Sequence, residues 1–339
     1  MKTYKFIDLF SGAGGLLRGF MNAGFIPVFS VEFWKPAVKT HKHNYPQVEV
    51  WSRDIRTIED QELKKYIGKI DVIVGGPPCQ GFSTIGKRLI KDPRNELVFE
   101  FVRFVDVVRP KVFIMENVRG LLSANNGAVR DAIVEEFREK GYTVVSKVIC
   151  AADYGVPQMR YRVIFIGIRN DCSIEPSFPD ATHSSENYET VGSCIMDLVG
   201  RENVFPNHIP MNHNDVVRKR ISCIKEGEGI PDEGLPQDVA CGSRSDYKNN
   251  NVKNFSHVYR RLSRSKPATT MVPGHNAFPL HPTEDRSLTV REAARIQTFP
   301  DDVIFMGTRQ EQCIQVGNAV PVRLAEELAK HVKKLLNSI

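Results

Sequence analysis

Hydrophobic and polar positions alternate in blocks along the first half of the chain, and each block has the length of a strand or a helix. Residues 5–10 form a short apolar run that predicts a buried strand, and 15–23 carry helical spacing that stops at Gly24. The same pattern predicts a strand at 26–31 leading into Glu32, a helix at 35–44 and a short extended segment reaching Asp54. It continues with a strand at 70–75, a helix at 94–108, a strand at 111–116, a helix at 127–140 and strands at 143–150 and 162–168. Such alternation predicts an α/β fold with a mostly parallel sheet covered by helices on both faces. Ligands of such sheets bind beyond the carboxyl ends of the strands. Residues placed there are the candidates for chemistry.

The regular pattern lapses from about 171 to 285, where Pro, Gly, Asn, Ser and His are frequent and apolar runs are short. A stretch of this kind suits surface recognition. Helical spacing returns at 289–298 and again at 321–336, where Val322, Leu324, Ala325, Leu328, Val332 and Leu335 make an apolar stripe for packing on the sheet. A length of 339 residues suits two domains. The expected division is one domain from 1–175 together with 308–339, and a smaller, irregular one with a hinge at 176–307.

Composition narrows the class. The seven cysteines are odd in number and scattered, with no C-x-x-C pair, which points to reduced thiols and away from a disulfide framework or a zinc site. No apolar stretch reaches membrane-spanning length, and Met1–Lys5 runs straight into the first strand, so a cytoplasmic protein without a signal peptide is expected. The net charge of +6 is compatible with phosphate contacts. Arg218, Lys219 and Arg220, then Arg260, Arg261, Arg264 and Lys266, cluster in the irregular half.

Several strand ends carry candidate chemistry. Phe10-Ser11-Gly12-Ala13-Gly14-Gly15 follows the first strand, and its glycines allow close approach of backbone to a ligand. The spacing is not G-x-G-x-x-G, which disfavours a nicotinamide dinucleotide. Glu32, at the end of the next strand, is placed to accept hydrogen bonds from ribose hydroxyls, and Asp54 to face an adenine amino group. Cys79 follows Gly75-Gly76-Pro77-Pro78, a stiff loop that presents a thiol to a cleft and not to a core. A catalytic thiol needs electropositive surroundings. Arg160 and Arg162, alternating in Gln158-Met159-Arg160-Tyr161-Arg162, point to one face and can supply them. Glu116 ends the apolar run Val112–Met115, where a carboxyl is expected to hold its proton to higher pH and serve as an acid. The alternative for Glu116 is a cap of the next helix.

In combination, FIDLFSGAGG, GGPPCQGFS, MENVRG, QMRYRVIFIG, RSLTVREAARIQTFPDD and GNAVP, spanning residues 6 to 321, resemble the DNA (cytosine-5) methyltransferases, particularly the prokaryotic restriction-modification type. The resemblance implies a Rossmann-like sheet, S-adenosyl-L-methionine as cofactor, no metal, double-stranded DNA as substrate, a monomer, and a cognate restriction endonuclease as functional counterpart. It implies Cys79 as the nucleophile toward cytosine C6, Glu116 at the N3 edge, and Arg162 with Arg160 holding the base. Gln80 and Ser83 lie in a loop, residues 80–95, that closes over DNA in this family. The implied cofactor site is Phe10, Ser11, Gly12, Gly14, Gly15, Glu32, Phe33, Asp54, Ile55, Pro78, Leu97, Asn318 and Val320. Residues 176–285 would read base edges, and either Thr269 or Thr270 would hold the backbone of the flipped nucleotide. The competing readings are a tRNA cytosine-5 methyltransferase, a DNA-binding regulator without catalysis, and a Rossmann oxidoreductase. Intact Cys79, Gln80, Glu116 and Arg162 disfavour the regulator, and the long basic segment favours DNA.

Overall fold

The computed structural model describes residues 2–78, 96–123, 127–202, 204–231, 235–239, 258–272 and 278–339. Its strands are β1 (Lys5–Leu9), β2 (Ile26–Val31), β3 (Glu49–Trp51), β4 (Val72–Gly75), β5 (Val112–Val118), β6 (Tyr142–Cys150), β7 (Gln158–Met159), β8 (Tyr161–Arg169) and β9 (Ala268–Thr269). Seven of them form one sheet in the order β3-β2-β1-β4-β5-β8-β6. The pairs β3-β2, β2-β1, β1-β4 and β4-β5 are parallel, and β8 runs antiparallel to both β5 and β6. Strands buried on both faces read as unbroken apolar runs, and Val72–Val74 and Val112–Met115 are fully buried. The strand order reverses between β1 and β4, so a crevice opens beyond their carboxyl ends.

Two elements depart from the sequence pattern. The strand expected to stop at Glu116 runs on to Val118, because β8 pairs Glu116 with Ile164, Asn117 with Val163 and Val118 with Arg162. Glu116 is therefore held inside a ladder and caps no helix. β3 ends at Trp51, and Asp54 stands beyond it, accepting from the Arg56 amide to start a short 3-10 turn over Ile55–Thr57.

Helix α1 (Gly15–Asn22) lies against the C-terminal helix Val322–Asn337, which joins the two ends of the chain. The predicted stripe is buried at Val322, Leu324, Ala325, Leu328 and Val332, but its last member is Leu336, while Leu335 is only partly buried. Contact is close because α1 carries glycines. A Cβ on Gly19 would lie 2.4 Å from the Ala325 Cβ, and one on Gly15 would lie 2.1 Å from the Val320 carbonyl oxygen.

Between the sheet and the C-terminal helices, regular structure is sparse among the described residues. It includes the helices Val191–Ile195 and Asp215–Ser222, and β9 pairs in parallel with β7. Backbone groups buried without a ladder must still find partners. Arginines supply many of them. Arg261 donates to the carbonyls of Ile221, Ile224, His281 and Glu284 at 2.6–3.0 Å and pairs with Asp285. Arg291, fully buried, donates to the carbonyls of Pro206, Pro300 and Val303. This changes the reading of the basic clusters as free cations. Arg220 is held by the Val239 carbonyl and the Tyr259 hydroxyl, Lys219 pairs with Asp238, and Arg264 with Glu226. Arg260 and Lys266 stay exposed, with no side-chain partner among the described residues.

Asp8 is fully buried in β1. The Ser11 hydroxyl donates to its Oδ2 at 2.7 Å, whereas Oδ1 has no hydrogen-bond partner among the described residues. Burial pushes the carboxyl up to about 7, with the Glu32 charge adding to the shift against the lowering effect of Ser11.

Gly15→Ala should lower the thermal unfolding midpoint, because the Val320 carbonyl leaves no room for a Cβ. Overpacking of this kind costs about 1–3 kcal/mol. A variant that melts with the wild type would remove this close contact as a constraint. Asp8 sets a pH dependence. An acid raised in the folded state contributes stability that is intact below its unfolded value and is lost as pH climbs to about 7. Asp8→Asn should therefore gain on the wild type between pH 4 and 8, by on the order of 4 kcal/mol in urea unfolding. Parallel pH profiles for the two proteins would contradict it.

Candidate active site

β4 delivers the chain through Gly75, Gly76, Pro77 and Pro78 to Cys79. Cys79, Gln80 and Ser83, with the rest of the segment 80–95, lie outside the described residues. The surroundings of that loop's first residues are defined. Asn117 Nδ2 donates to the Pro77 carbonyl at 2.9 Å, and Asn117 Oδ1 accepts from the Val118 amide at 2.9 Å. The peptide that leads to the thiol is thus tied to the end of β5. Glu116 is 8 % exposed, and its Oε2 packs beside Gly76, where a Cβ would come within 3.1 Å. Any larger residue at 76 would press on the carboxylate.

The β5–β8 register places Arg162 two residues from the partner of Glu116, on the same face. Arg162 Nε lies 2.9 Å from Glu116 Oε1. The approach is off the hydrogen-bond line, so Oε1 is a buried oxygen with no hydrogen-bond partner among the described residues. Charge attraction holds the pair, and the oxygen keeps its capacity for a ligand. Another Arg162 nitrogen donates to the Tyr161 carbonyl at 2.8 Å.

Arg160 has a different environment. Its side chain is 1 % exposed, with Nη1 donating to the Met271 carbonyl at 3.1 Å and Nη2 to the Gly317 carbonyl at 3.0 Å. Burial draws this guanidinium down to about 9, helped by the like charge of Arg162 and opposed by Glu116. It remains a cation at neutral pH behind the Glu116–Arg162 pair. Gln158, also fully buried, accepts from the Met271 amide at 2.8 Å and donates to Gln297 Oε1 at 2.9 Å. The Thr270 hydroxyl donates to the Met159 carbonyl at 2.9 Å, and Thr269 is half-buried beside it.

The glycine turn after β1 is bent through left-handed backbone at Phe10 (φ 57°), Gly12 (φ 55°) and Gly14 (φ 84°). A phenylalanine there is an uncommon conformation, held by its neighbours. Glu32 ties the turn down: Oε2 accepts from the Gly12 amide at 2.8 Å and Oε1 from the Trp34 amide at 2.7 Å. Burial raises this carboxyl, against the lowering effect of those amides. Each oxygen keeps a second acceptor site for hydroxyls. Ser11 and Gly14 are buried, and the Gly12 Cα faces open space. Phe33 leaves 65 % of its surface uncovered beside Glu32. Ile55 and Val320 are buried, Leu97 partly so, and Pro78 and Asn318 are exposed. Phe33 also borders a cleft of about 580 Å³ with Trp34, Lys35, Lys39 and Glu311. An open glycine turn, a carboxylate with free acceptor sites and an uncovered ring fit the nucleoside part of a cofactor.

Asp54 is more engaged than its place in the sequence suggests. Arg56 donates to both of its oxygens and also to Glu96, and this pairing lowers the Asp54 carboxyl. An adenine amino group at Asp54 would share it with Arg56. Sequence reasoning passed over Asp8, Asn117 and Gln297. Asn117 had a signal, since it directly follows Glu116, and Asp8 had one in Ser11 three residues on; the partners of Gln297 are distant in the chain.

A family model described as C-5 cytosine-specific DNA methylase matches residues 4–334. The chain is 40% identical to the Type II methyltransferase M1.HphI of Haemophilus parahaemolyticus, over 98% of this chain and 87% of that one. It is 36% identical to the Type II methyltransferase M.DdeI of Desulfomicrobium norvegicum, over 98% and 89% respectively. A solved protein from E. coli, described as a prophage-encoded DNA modification methyltransferase, superposes with a TM-score of 0.77 at 26% identity, covering 98% of this chain and 99% of that one. The S. pombe Dnmt2 methyltransferase shares the fold, with a TM-score of 0.64 at 17% identity over 98% and 99% of the two chains. With the glycine turn, the buried carboxylate and the sheet that carries them all inside the matched span, the chain belongs to the C-5 cytosine-specific DNA methylase family, of the restriction-modification type, with S-adenosylmethionine as its cofactor.

Proposed function

We propose that this protein methylates carbon 5 of a cytosine within one short double-stranded DNA sequence, flipping the base out of the helix and bonding Cys79 to C6 during the reaction. It acts as a monomer, and its cellular role is to protect DNA from a cognate restriction endonuclease. The observation that carries the catalytic part is the position of Glu116. Its carboxylate lies against Gly76, three residues before Cys79, with Arg162 Nε 2.9 Å away and one buried oxygen unbonded among the described residues. A cytosine beside Cys79 would bring its N3 edge to that oxygen.

The residues then divide the work. Cytosine C5 is a weak nucleophile. The Cys79 thiolate donates an electron pair to C6, and the C5–C6 π electrons move toward C5 as the ring loses aromaticity. Glu116 hydrogen-bonds the N3 edge through a proton and so neutralises the developing charge. Arg162 holds the base, and its charge favours the thiolate. When bound, S-adenosylmethionine supplies the electrophilic methyl group. After C5 has taken the methyl, a base removes the C5 proton, the N3 proton returns to Glu116, the double bond re-forms and Cys79 leaves as thiolate. A base inside the stack cannot reach these groups, which is why flipping is needed. Gln80 and Ser83 would border the space the base vacates. The cofactor would lie along Phe10–Gly15, with ribose hydroxyls on Glu32 and the exposed Phe33 ring against the adenine. Asp54, Ile55, Pro78, Leu97, Asn318 and Val320 would complete its enclosure.

Residues 176–307 are proposed as the recognition domain, opposite a catalytic domain of 1–175 and 308–339. Arg260 and Lys266, exposed in that segment, are the candidates for phosphate contacts; Arg261 and Arg220 are already spent on backbone and hydroxyl partners.

Incubation with duplex containing 5-fluorocytosine should leave a covalent protein–DNA adduct on a denaturing gel, because fluorine cannot depart as a cation. The adduct should require S-adenosylmethionine and vanish in Cys79→Ala. Wild-type rates of methyl transfer by Cys79→Ala would sink the covalent mechanism. Bisulfite sequencing of DNA from expressing cells identifies the target site. Replacing 176–285 with the matching segment of a relative of different specificity should then move methylation to that relative's site. A folded, active hybrid that keeps the original site would place recognition elsewhere.

A further inference from the structure

We propose that Arg160 and the Gln158–Gln297 amide pair form a latch through which DNA held on the Thr269–Met271 segment tightens the protein's grip on the cofactor. Arg160 is then a positioning residue that never touches the base. The inference rests on the reading of the protein as a DNA methylase.

Both polar groups of the Met271 peptide unit are held by side chains from the β7 edge. The Met271 carbonyl accepts from Arg160 Nη1 at 3.1 Å, and the Met271 amide donates to Gln158 Oε1 at 2.8 Å. Each hold continues to the same place. Arg160 Nη2 reaches the Gly317 carbonyl at 3.0 Å. Gln158 Nε2 reaches Gln297 Oε1 at 2.9 Å, and Gln297 Nε2 donates to the carbonyls of Val316 at 2.7 Å and Ala319 at 3.3 Å. Two parallel bridges thus run from residue 271 to residues 316–319. Next in the chain is Val320, whose carbonyl abuts Gly15 so closely that a Cβ there would lie 2.1 Å away. A shift at Met271 has a path of directly touching groups to the cofactor's glycine turn.

The chemistry of the group suits transmission. A guanidinium is planar, so its two terminal nitrogens cannot move independently. If the Met271 carbonyl is displaced, the fork turns and its other prong moves on Gly317. Gly317 lies in the last turn of the helix Arg309–Asn318, where a cation is favoured by the unpaired carbonyls. Stability alone does not call for a cation here. A buried charge whose hydrogen bonds go to neutral carbonyls is costly to desolvate, and Arg160 Nε has no partner among the described residues. On the far side, the Thr270 hydroxyl donates to the Met159 carbonyl at 2.9 Å, and β9 runs parallel to β7. Segment 268–271 therefore moves against the β7 edge through defined bonds.

Coupling between two binding sites is reciprocal and typically amounts to 5–150-fold. The test uses the full-length protein and S-adenosylhomocysteine, titrated calorimetrically alone and with saturating duplex carrying the methylated site. The wild type should bind the analogue about tenfold more tightly with this duplex, and much less so with a scrambled duplex. Arg160→Lys keeps the charge and loses the fork, so the ratio with and without duplex should fall toward one, whatever the variant's affinity for the analogue alone. An unchanged ratio in Arg160→Lys, or no coupling in the wild type, would overturn the latch. Should the variant fail to fold, hydrogen exchange on the wild type decides. Duplex added without cofactor should slow exchange in the peptide spanning 314–321, and unaltered exchange there rejects the proposal. A wild type that binds no duplex would instead refute the functional reading and this inference with it. A protein that methylates normally but lacks coupling loses the latch alone.

Discussion

Buried carbonyls need donors, and this requirement shapes the half of the molecule that follows the sheet. Strands and helices satisfy their own backbone, but the described residues between Arg169 and Val290 have few of either. Guanidinium groups fill the gap. Arg261 holds four carbonyls, Arg291 three and Arg160 two, each group drawing together chain segments far apart in sequence. Arginine suits this work because it offers five donors in a rigid fork and stays charged. An irregular stretch is thereby tied together without being a sheet or a bundle.

The second constraint is close approach. The glycine turn can sit beyond the carboxyl ends of β1 and β4 only if groups from several segments approach closely. Gly15 meets the Val320 carbonyl, Gly75 meets the Leu9 carbonyl and Gly76 meets the Glu116 carboxylate. Positions 15, 75 and 76 thus bind three parts of the site to one another: the turn, the carboxylate and the loop that carries the thiol. The same region holds Phe10 in left-handed backbone and Asp8 buried in β1, with one oxygen unpaired among the described residues. The buried Asp8 carboxyl costs stability as pH climbs to about 7.

Much of this was legible in the residues. The strand and helix blocks to about residue 168 appear close to where the periodicity puts them, because a sheet covered on both faces needs unbroken apolar strands and amphipathic covers. The glycine turn, Glu32 and Glu116 also stand where the strand-end argument placed them, although Glu116 lies within β5 and not at its end. The antiparallel β8 extended that strand, and pairing across the sheet is a long-range property that a run of apolar residues does not encode. The arginine clusters were misread for the same reason. As a string, Arg218–Lys219–Arg220 and Arg260–Arg261 look like cations awaiting phosphate. Folded, most of them are occupied by carbonyls, carboxylates or a hydroxyl.

By itself, then, the sequence determined the layered sheet and the family, and singled out the glycine turn and the candidate reactive groups. These depend on local spacing: apolar period, glycine and proline placement, and which side chain follows which strand. Only the tertiary structure decided which charges meet. It paired Arg162 with Glu116 and held Arg160 between Met271 and Gly317, residues 111 and 157 positions away. The physical reason is that a charge is directed by whatever dipoles surround it after burial, and burial gathers those dipoles from remote parts of the chain.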